Sequence, residues 1–383
     1  MKEHRIVVFG GSSLYRLPIY NQMAKELGCD YHIFEDSAAS GIKSYQYKEL
    51  KNFKCVVRPR YLLGNFYWQN DTLNLIHSRY DLIIVGGPYC IAYWPLMIYR
   101  RLIGKKVASW SHGMYGRETG VRKLIKSWFY KLCDMNFVYN DRAIDLMVKC
   151  GIKRKRIIKV GNSLDTDRNL QIRKRLSKSD ILSAHFGNLN PILIFVGRIT
   201  KEKKLHMILQ AMNILRNEGI NLNFVVVGKD VDGVNLERKA SEIGLDSQLF
   251  MYGPCYDDEV LGNFFYNSDV CVSPGNVGLT AINAMSFGCP VISHNNYNYQ
   301  GPEYSAICPD KTGDFFEQGN LESLSAVIKK WTSYEYISRR DEFEKNCFKE
   351  VDKNWTIYSE TKAFKRGISR IIDIDSDDCT RKL

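Results

Sequence analysis

Two short stretches of this 383-residue chain hold residue types that could bind a strongly anionic group. The first is Phe195-Val196-Gly197-Arg198-Ile199, followed by Lys203-Lys204. An apolar run ending in Gly-Arg reads as a buried strand that presents a guanidinium at its carboxyl end. Lys203 lies just ahead of the next helical pattern. Two fixed cations at such a place suit a diphosphate, although two solvated loop charges would have the same sequence. The second stretch starts at Val272-Ser273-Pro274-Gly275-Asn276-Val277-Gly278-Leu279-Thr280 and ends at Gly288-Cys289-Pro290-Val291-Ile292. Its glycines and proline describe a tight strand-to-helix turn. The N–H groups of Gly278, Leu279 and Thr280 would point at an anion, and the Thr280 hydroxyl could add a donor. An ordinary βαβ turn has the same form. His112-Gly113 and Gly10-Gly11 also follow apolar runs; a histidine at a strand end is often structural.

The elements needed to position these residues are those of a parallel sheet. In the front half, strands are expected at Ile6–Phe9, Leu82–Val85, Val107–Trp110, Met135–Tyr139 and Ile157–Val160. Between the first two, Leu17, Tyr20, Met23, Ala24 and Leu27 recur at helical spacing, and Gly28 follows as a natural stop. Residues 165–183 are polar and basic and suit a boundary. The pattern then begins again, with strands at Ile192–Val196, Asn223–Val227, Val270–Val272 and Val291–Ile292 and helices between them. Continuous apolar strands divided by helices mean a parallel sheet covered on both faces. The fold class is therefore α/β, with two consecutive doubly wound, Rossmann-like domains. The expected limits are 1–185, 186–350 and a helical tail, 351–383, packing back on the first domain. In two such facing domains, ligands sit in a cleft at the carboxyl ends of the strands.

Composition narrows the partners. With 45% hydrophobic and 25% charged residues the chain is globular. Residues 1–185 carry 32 basic and 15 acidic side chains, whereas 186–383 carry 22 and 27. The front half thus favours an anionic partner. The 11 cysteines include no C-x-x-C pair, which predicts free thiols in a reducing cytosol and no structural metal. Leu82–Tyr99 is long and uncharged, but Gly86-Gly87-Pro88 and Pro95 divide it into strand, loop and helix, so no membrane span is expected.

Taken together, the G-R-I-x₃-K loop, the A-M-x-x-G-x-P-V-I segment, the Gly-rich first loop, His112-Gly113 and Asn162-Ser163-Leu164-Asp165 resemble the retaining glycosyltransferases of family 4, which have the GT-B fold. The resemblance spans most of residues 5–320. It implies a nucleotide-sugar co-substrate, a UDP- or GDP-sugar, held mainly by the second domain. Arg198 and Lys203 would stabilise the departing diphosphate in place of a metal, so no metal cofactor is expected. Gly10, Gly11, Gly197, Gly278, Leu279 and Thr280 would line the donor, and His112 would face the transferred sugar and the acceptor. The departure is at the family's E-x₇-E motif, where this chain has Gly275 and Asn283. Asn283 can still hydrogen-bond a ribose hydroxyl, and Glu303 is a candidate replacement for the missing sugar contact.

Further readings attach to the remaining charges. Residues 99–131 are basic with interleaved aromatics, and Arg122, Lys123, Lys126 and Trp128 suit an anionic membrane surface. A solvated basic face is the plainer alternative. Nothing resembles a nucleic-acid module. The expected setting is the inner face of a bacterial plasma membrane, where the protein would be cytoplasmic and peripheral. The expected reaction adds a sugar to a hydroxyl of a lipid-linked glycan during surface polysaccharide synthesis. The triplets Asp165-Thr166-Asp167, Asp230-Val231-Asp232 and Asp373-Ile374-Asp375 could instead hold a metal, as in GT-A transferases, but the restarting strand pattern argues against that class. Loss of the glutamate pair keeps two alternatives open: a non-catalytic GT-B accessory or binding protein, and a sugar-nucleotide epimerase of the same fold.

Overall fold

The computed structural model describes residues 5–34, 43–62 and 64–372. The chain divides after Asp165 and again after Thr356. Among the described residues, unit 1 takes those up to Asp165 and those from Ile357 to Ile372, and unit 2 is Thr166–Thr356.

Unit 1 begins with β1 (Ile6–Gly11), whose apolar residues are buried. Helix α1 (Leu17–Leu27) follows, with Pro18 in its first turn and Gly28 at φ +63° closing it. Next come β2 (Cys29–Phe34), β3 (Phe53–Val57), a small ribbon of β4 (Arg60–Tyr61) and β5 (Tyr67–Trp68), and the short α2 (Asn70–Leu73). The remainder alternates: β6 (Leu82–Val85), α3 (Tyr93–Leu102), β7 (Lys106–Trp110), α4 (Gly120–Leu132), β8 (Met135–Val138), α5 (Asp141–Lys149) and β9 (Ile157–Lys159). Helix α5 starts where the Asn140 side chain accepts the N–H of Ala143 at 2.9 Å. The seven-stranded sheet is ordered β3-β2-β1-β6-β7-β8-β9.

Unit 2 opens with α6 (Thr166–Arg173) and α7 (Ile181–Phe186). The polar 165–183 segment is therefore largely helical, and the division falls about twenty residues before the expected 185/186 limit. Buried Asn169 and Ile172 put one face of α6 into unit 2. Then follow β10 (Ile192–Val196), α8 (His206–Asn217), β11 (Asn223–Val227), α9 (Leu236–Ser241), β12 (Leu249–Gly253), α10 (Asp258–Tyr266), β13 (Val270–Ser273), α11 (Thr280–Ser286), β14 (Val291–His294), β15 (Gly313–Phe316), α12 (Leu321–Trp331), α13 (Tyr334–Ser338) and α14 (Arg340–Asn354). The six strands are ordered β12-β11-β10-β13-β14-β15, and every pair is parallel.

The chain then returns as α15 (Ile357–Ile368), which packs in unit 1 against α1, β8 and β9. Phe364 meets Trp110 at 4.7 Å and Phe137 at 4.6 Å between ring centroids. A side chain at Gly367 would sit 2.4 Å from the Phe137 ring, so the close approach of α15 requires glycine there. Helix α14 lies wholly in unit 2, so of the described part of the expected 351–383 tail only Ile357–Ile372 belongs to unit 1.

In each sheet the winding reverses beside the first strand, between β1 and β6 in unit 1 and between β10 and β13 in unit 2. A crevice forms at the carboxyl ends of strands at such a switch point. Gly197-Arg198 leaves β10 there, and Gly275–Gly278 leaves β13 beside it.

Candidate functional site

The unit 2 site is built from the two loops at that switch point. Lys203 ends a 3₁₀ turn, Lys201–Lys203, and its Nζ donates to the Asn276 carbonyl. The Lys203 carbonyl accepts the N–H of Gly275 at 3.0 Å. The two loops are thus stitched together from both directions. Gly275 stands where the sequence resemblance leads one to expect a glutamate. A Cβ there would lie 2.0 Å from the Glu202 carbonyl oxygen and 2.8 Å from the Lys203 Cα. The loop carrying Lys203 occupies the space that a side chain at 275 would need.

Behind these loops lies a buried polar clamp that spacing alone does not reveal. The Gln300 side chain accepts the Val277 N–H at 2.9 Å and donates to Ser293 Oγ at 2.8 Å and the His294 carbonyl at 3.0 Å. Ser293 Oγ donates to the Ser273 carbonyl at 2.9 Å. Asn276 Oδ1 accepts the Gly301 N–H at 3.0 Å. Gly278 has φ +56°, a left-handed conformation natural to glycine. Leu279 and Thr280 then start α11. The Thr280 hydroxyl donates to the Val196 carbonyl at 3.0 Å, so its proton ties α11 to β10 and is not offered to an anion. Asn283, half-buried, lies one turn further along α11.

Glu303 is 3% exposed and its carboxylate comes within 2.6 Å of where a Cβ on Gly301 would be. Lys203 feels both Glu303 and Arg198 electrostatically. Burial pulls the Lys203 ammonium down to about 8, Glu303 counteracts this, and Arg198 adds to it. Arg198 itself is exposed. The structure therefore brings Gly197, Arg198, Lys203, Gly278, Leu279, Thr280 and Glu303 to one end of one sheet.

The unit 1 residues have a different setting. A side chain at Gly10 would collide with the Tyr20 hydroxyl at 2.4 Å, so the packing of α1 on β1 already demands glycine there. The Gly11 carbonyl accepts from the Tyr45 hydroxyl at 3.2 Å. Gly113 has φ +67° and leaves only 2.9 Å to Met147 Sδ, which accounts for the glycine of the His-Gly pair. His112 lies between two tyrosine rings, Tyr115 at 5.5 Å and Tyr139 at 4.8 Å. Its side chain still reaches solvent. Partial loss of hydration and the nearby Arg16 and Lys126 cations hold the imidazole down to about 4. Both cations act in the same direction, and His112 is neutral near pH 7.

Two cations of the basic 99–131 stretch are internal. Lys126 is buried and pairs with Glu118, whose carboxylate also accepts the Tyr115 N–H at 3.0 Å and the Gly116 N–H at 2.9 Å. Burial pushes the Glu118 carboxyl up, but Lys126 and these amides outweigh it and hold it below its ordinary value. Lys126 therefore supports the His112 loop and is not available to a membrane, contrary to the expectation from its sequence neighbours. Arg100 is fully buried and donates to the Tyr80 carbonyl at 2.6 Å. Arg122, Lys123 and Trp128 are exposed, together with Val121 and Leu124.

Of the D-x-D triplets, Asp230-Val231-Asp232 is engaged with backbone amides. Asp230 accepts the N–H groups of Asp232 at 3.2 Å and Asn235 at 2.9 Å, and Asp232 accepts that of Lys201 at 3.0 Å. These carboxylates shape their own loop. Asp373–Asp375 lies outside the described residues. Among the described residues no group of three or more histidines, cysteines or acids is placed to hold a metal ion. The described cysteines are free thiols. No described helix is long and apolar enough to cross a membrane.

The family comparison falls within unit 2. Residues 184–350 match the family model described as "Glycosyl transferases group 1". The capsular polysaccharide biosynthesis glycosyltransferase CapM of Staphylococcus aureus is 25% identical over 179 residues, which cover 44% of this chain and 43% of that protein. The chain thus spans under half the length of that curated relative. Among solved structures, a glycosyltransferase from Rickettsia africae superposes with a TM-score of 0.75 at 14% identity, over 97% of this chain and all of the other. HepE of Anabaena, in complex with UDP, superposes with a TM-score of 0.73 at 13% identity, over 96% of this chain and all of the other. At such identities the likeness establishes the fold, which is GT-B with two Rossmann-like domains. It is over residues 184–350 that this GT-B chain is similar to the glycosyl transferases group 1 family.

Proposed function

We propose that the chain transfers a sugar from a nucleoside-diphosphate sugar, a UDP- or GDP-sugar, to a hydroxyl of a lipid-linked glycan, with retention of configuration. The observation that carries this reading is the pairing of Arg198 and Lys203 at the β10–β13 switch point, inside the segment that matches the glycosyltransferase family. Glycosyl transfer leaves negative charge on the departing phosphate, and preorganised cations lower that barrier. Arg198 offers a planar fork to the phosphates, while Lys203, held by the Asn276 carbonyl, offers a point charge. The amides at Gly278 and Leu279 add dipoles of the same sign. The two cations supply the charge that a divalent ion supplies elsewhere, so the reaction should survive chelation of metals.

Glu303 is the acidic group whose charge Lys203 feels most, and it takes the role that the family assigns to the glutamate absent at 275, contact with the sugar hydroxyls. Asn283 takes the ribose. In unit 1, neutral His112 presents its imidazole to the reacting sugar and the acceptor.

For the acceptor side, α4 presents Val121, Leu124 and Trp128 beside Arg122 and Lys123, and the end of α3 adds Leu102. Apolar side chains flanked by cations suit the interface of an anionic bilayer. Docking there would bring a lipid-linked acceptor to a peripheral protein at the inner face of the membrane. The likeness to a capsular polysaccharide glycosyltransferase supports surface polysaccharide synthesis as the setting.

A donor screen tests the reading. Incubation with UDP- and GDP-sugars and a lipid-linked acceptor should yield glycosylated lipid, with the anomeric configuration of the donor preserved by NMR and with turnover unaffected by EDTA. Binding of nucleotide without product would favour the accessory-protein reading, and a changed sugar nucleotide without transfer would favour an epimerase.

A further inference from the structure

The loop that leaves β13 is gripped from two sides. On one side Lys203 Nζ donates to the Asn276 carbonyl, and the Lys203 carbonyl accepts the Gly275 N–H at 3.0 Å. On the other side, residues 293–301 supply a series of partners. Gln300 Oε1 accepts the Val277 N–H at 2.9 Å. The Gly301 N–H donates to Asn276 Oδ1 at 3.0 Å. Ser293 Oγ lies 2.9 Å from the Ser273 carbonyl and 3.3 Å from that of Gly275. Ser273, Gly275, Asn276 and Val277 are thus each held by this one segment.

Two of these bonds act on a single group. The Asn276 carbonyl, which receives the Lys203 ammonium, and the Val277 N–H, which is given to Gln300, belong to the same planar peptide unit. Lys203 holds its oxygen end and Gln300 its nitrogen end. That peptide cannot rotate without breaking both bonds. A hydrogen bond at the N–H also polarises the carbonyl and makes it a better acceptor. Gln300 is itself anchored. It is 3% exposed, and its Nε2 donates to Ser293 Oγ at 2.8 Å and to the His294 carbonyl at 3.0 Å, at the end of β14. A buried amide with its oxygen and its nitrogen both paired is a rigid mount. An unbroken line of hydrogen bonds and one peptide therefore runs from a sheet strand to the ammonium.

We propose that Gln300 is a positioning residue for Lys203, acting through the Asn276–Val277 peptide. The proposal rests on the transferase reading for its consequence in nucleotide binding, but not for its effect on Lys203. Without the Gln300 amide, the peptide is free to turn, its carbonyl leaves the ammonium, and the cation loses its fixed place. A cation that must be ordered by the ligand binds a diphosphate more weakly than one already in position.

Two measurements on the full-length protein test this. The first needs no ligand. Lys203 is labelled with limiting acetic anhydride and quantified by mass spectrometry, with exposed Lys329 on α12 as reference. Gln300→Met should speed labelling of Lys203 about threefold or more, the worth of one released hydrogen bond, and leave Lys329 unchanged. Unchanged labelling of Lys203 would overturn the proposal. So would an equal rise at Lys329, which reports general loosening. Should Gln300→Met fail to fold, Ser293→Ala removes one partner of the same amide without adding volume. It should speed Lys203 labelling in the same direction, and no change would again overturn the proposal. The second measurement is a double-mutant cycle on affinity for UDP and GDP. Gln300→Met should weaken binding about tenfold in the wild-type background and about twofold or less in Lys203→Ala, where no ammonium remains to be seated. Equal losses in both backgrounds would overturn the proposal, because damage unrelated to Lys203 adds to its removal. If the wild type binds neither nucleotide, the transferase reading fails and the labelling of Lys203 alone decides the positioning claim.

Discussion

The two units solve the same placement problem by different means. In unit 2 the candidate site is made chiefly of two loops with a polar clamp behind them: the loops leave adjacent strands, glycine lets them touch, and Arg198 and Lys203 are carried where the sheet winding reverses. In unit 1 the candidate site depends on side chains that arrive from far along the sequence. His112 is framed by tyrosines; Tyr139 is held by Arg16, and Tyr115 by Lys126 and Glu118. The first kind of site is specified locally and tolerates little change in backbone. The second is specified by long-range pairs and should yield gradually as those pairs are cut.

The largest effect expected from breaking this contrast is at Arg198. Arg198→Ala should lower turnover by about 10²–10³, as for loss of one donor to a developing oxyanion. Steady-state kinetics with the best donor would check it. Next is Gly275→Glu, which introduces the residue expected there from the sequence resemblance. Its Cβ would meet the Glu202 carbonyl at 2.0 Å, so the Lys203 loop must shift. The strain should cost about 1–3 kcal/mol and weaken donor binding together with thermal stability. A stable variant with tighter donor binding would contradict the loop geometry.

Lys203 gives a pH test. The ammonium loses its charge as pH rises through about 8 in the free protein. Because kcat/KM reports ionisations of the free enzyme, it should fall on the alkaline side of about pH 8. Lys203→Arg stays charged and should move that limb upward even if its absolute rate is lower. On the unit 1 surface, charge reversal at Arg122 and Lys123 should weaken binding to anionic vesicles, each Lys or Arg being worth about 1 kcal/mol. Reversal of Lys126 should instead destabilise the fold, because it leaves Glu118 buried against a like charge. Co-sedimentation and thermal melts separate the two outcomes.

A separate effect, on stability alone, concerns Glu360. Burial pushes its carboxyl up to about 7, and Arg16 and the Ser163 donors offset this only in part. The folded value lies above the ordinary one of about 4.3. Its contribution to stability is therefore full below about pH 4 and is lost as pH rises through about 7. Melting temperature in wild type should decline over that interval by more than in Glu360→Gln, and parallel curves would contradict the burial account.

The two-unit α/β plan and the unit 2 loops are legible in the sequence because both are local: apolar runs mark strands, and Gly-Arg or Pro-Gly marks the turns that leave them. Strands β2 and β3 carry Asp30, His32 and Lys54 and so do not read as apolar runs. The clamp of Gln300, Ser293 and Val277 is invisible there because hydrogen bonds between loops leave no periodic trace. The Ser163–Glu360 bond joins residues 197 positions apart. The buried cations do leave a trace. Lys126 stands three and four residues before Phe129 and Tyr130, and Arg100 stands three and four after Met97 and Leu96, all of them buried. Helical spacing puts each cation on the inward face of its helix, and a count of basic residues along the chain overlooks that phase.

The central claim is that Arg198 and Lys203 hold the diphosphate of a nucleotide sugar. Isothermal titration of UDP and GDP into the wild-type protein, Arg198→Ala and Lys203→Ala tests it most directly. One nucleotide should bind the wild type, with affinity falling about tenfold or more, about 1.4 kcal/mol, in each variant. Absence of binding to the wild type, or equal affinity in Arg198→Ala, would contradict the account.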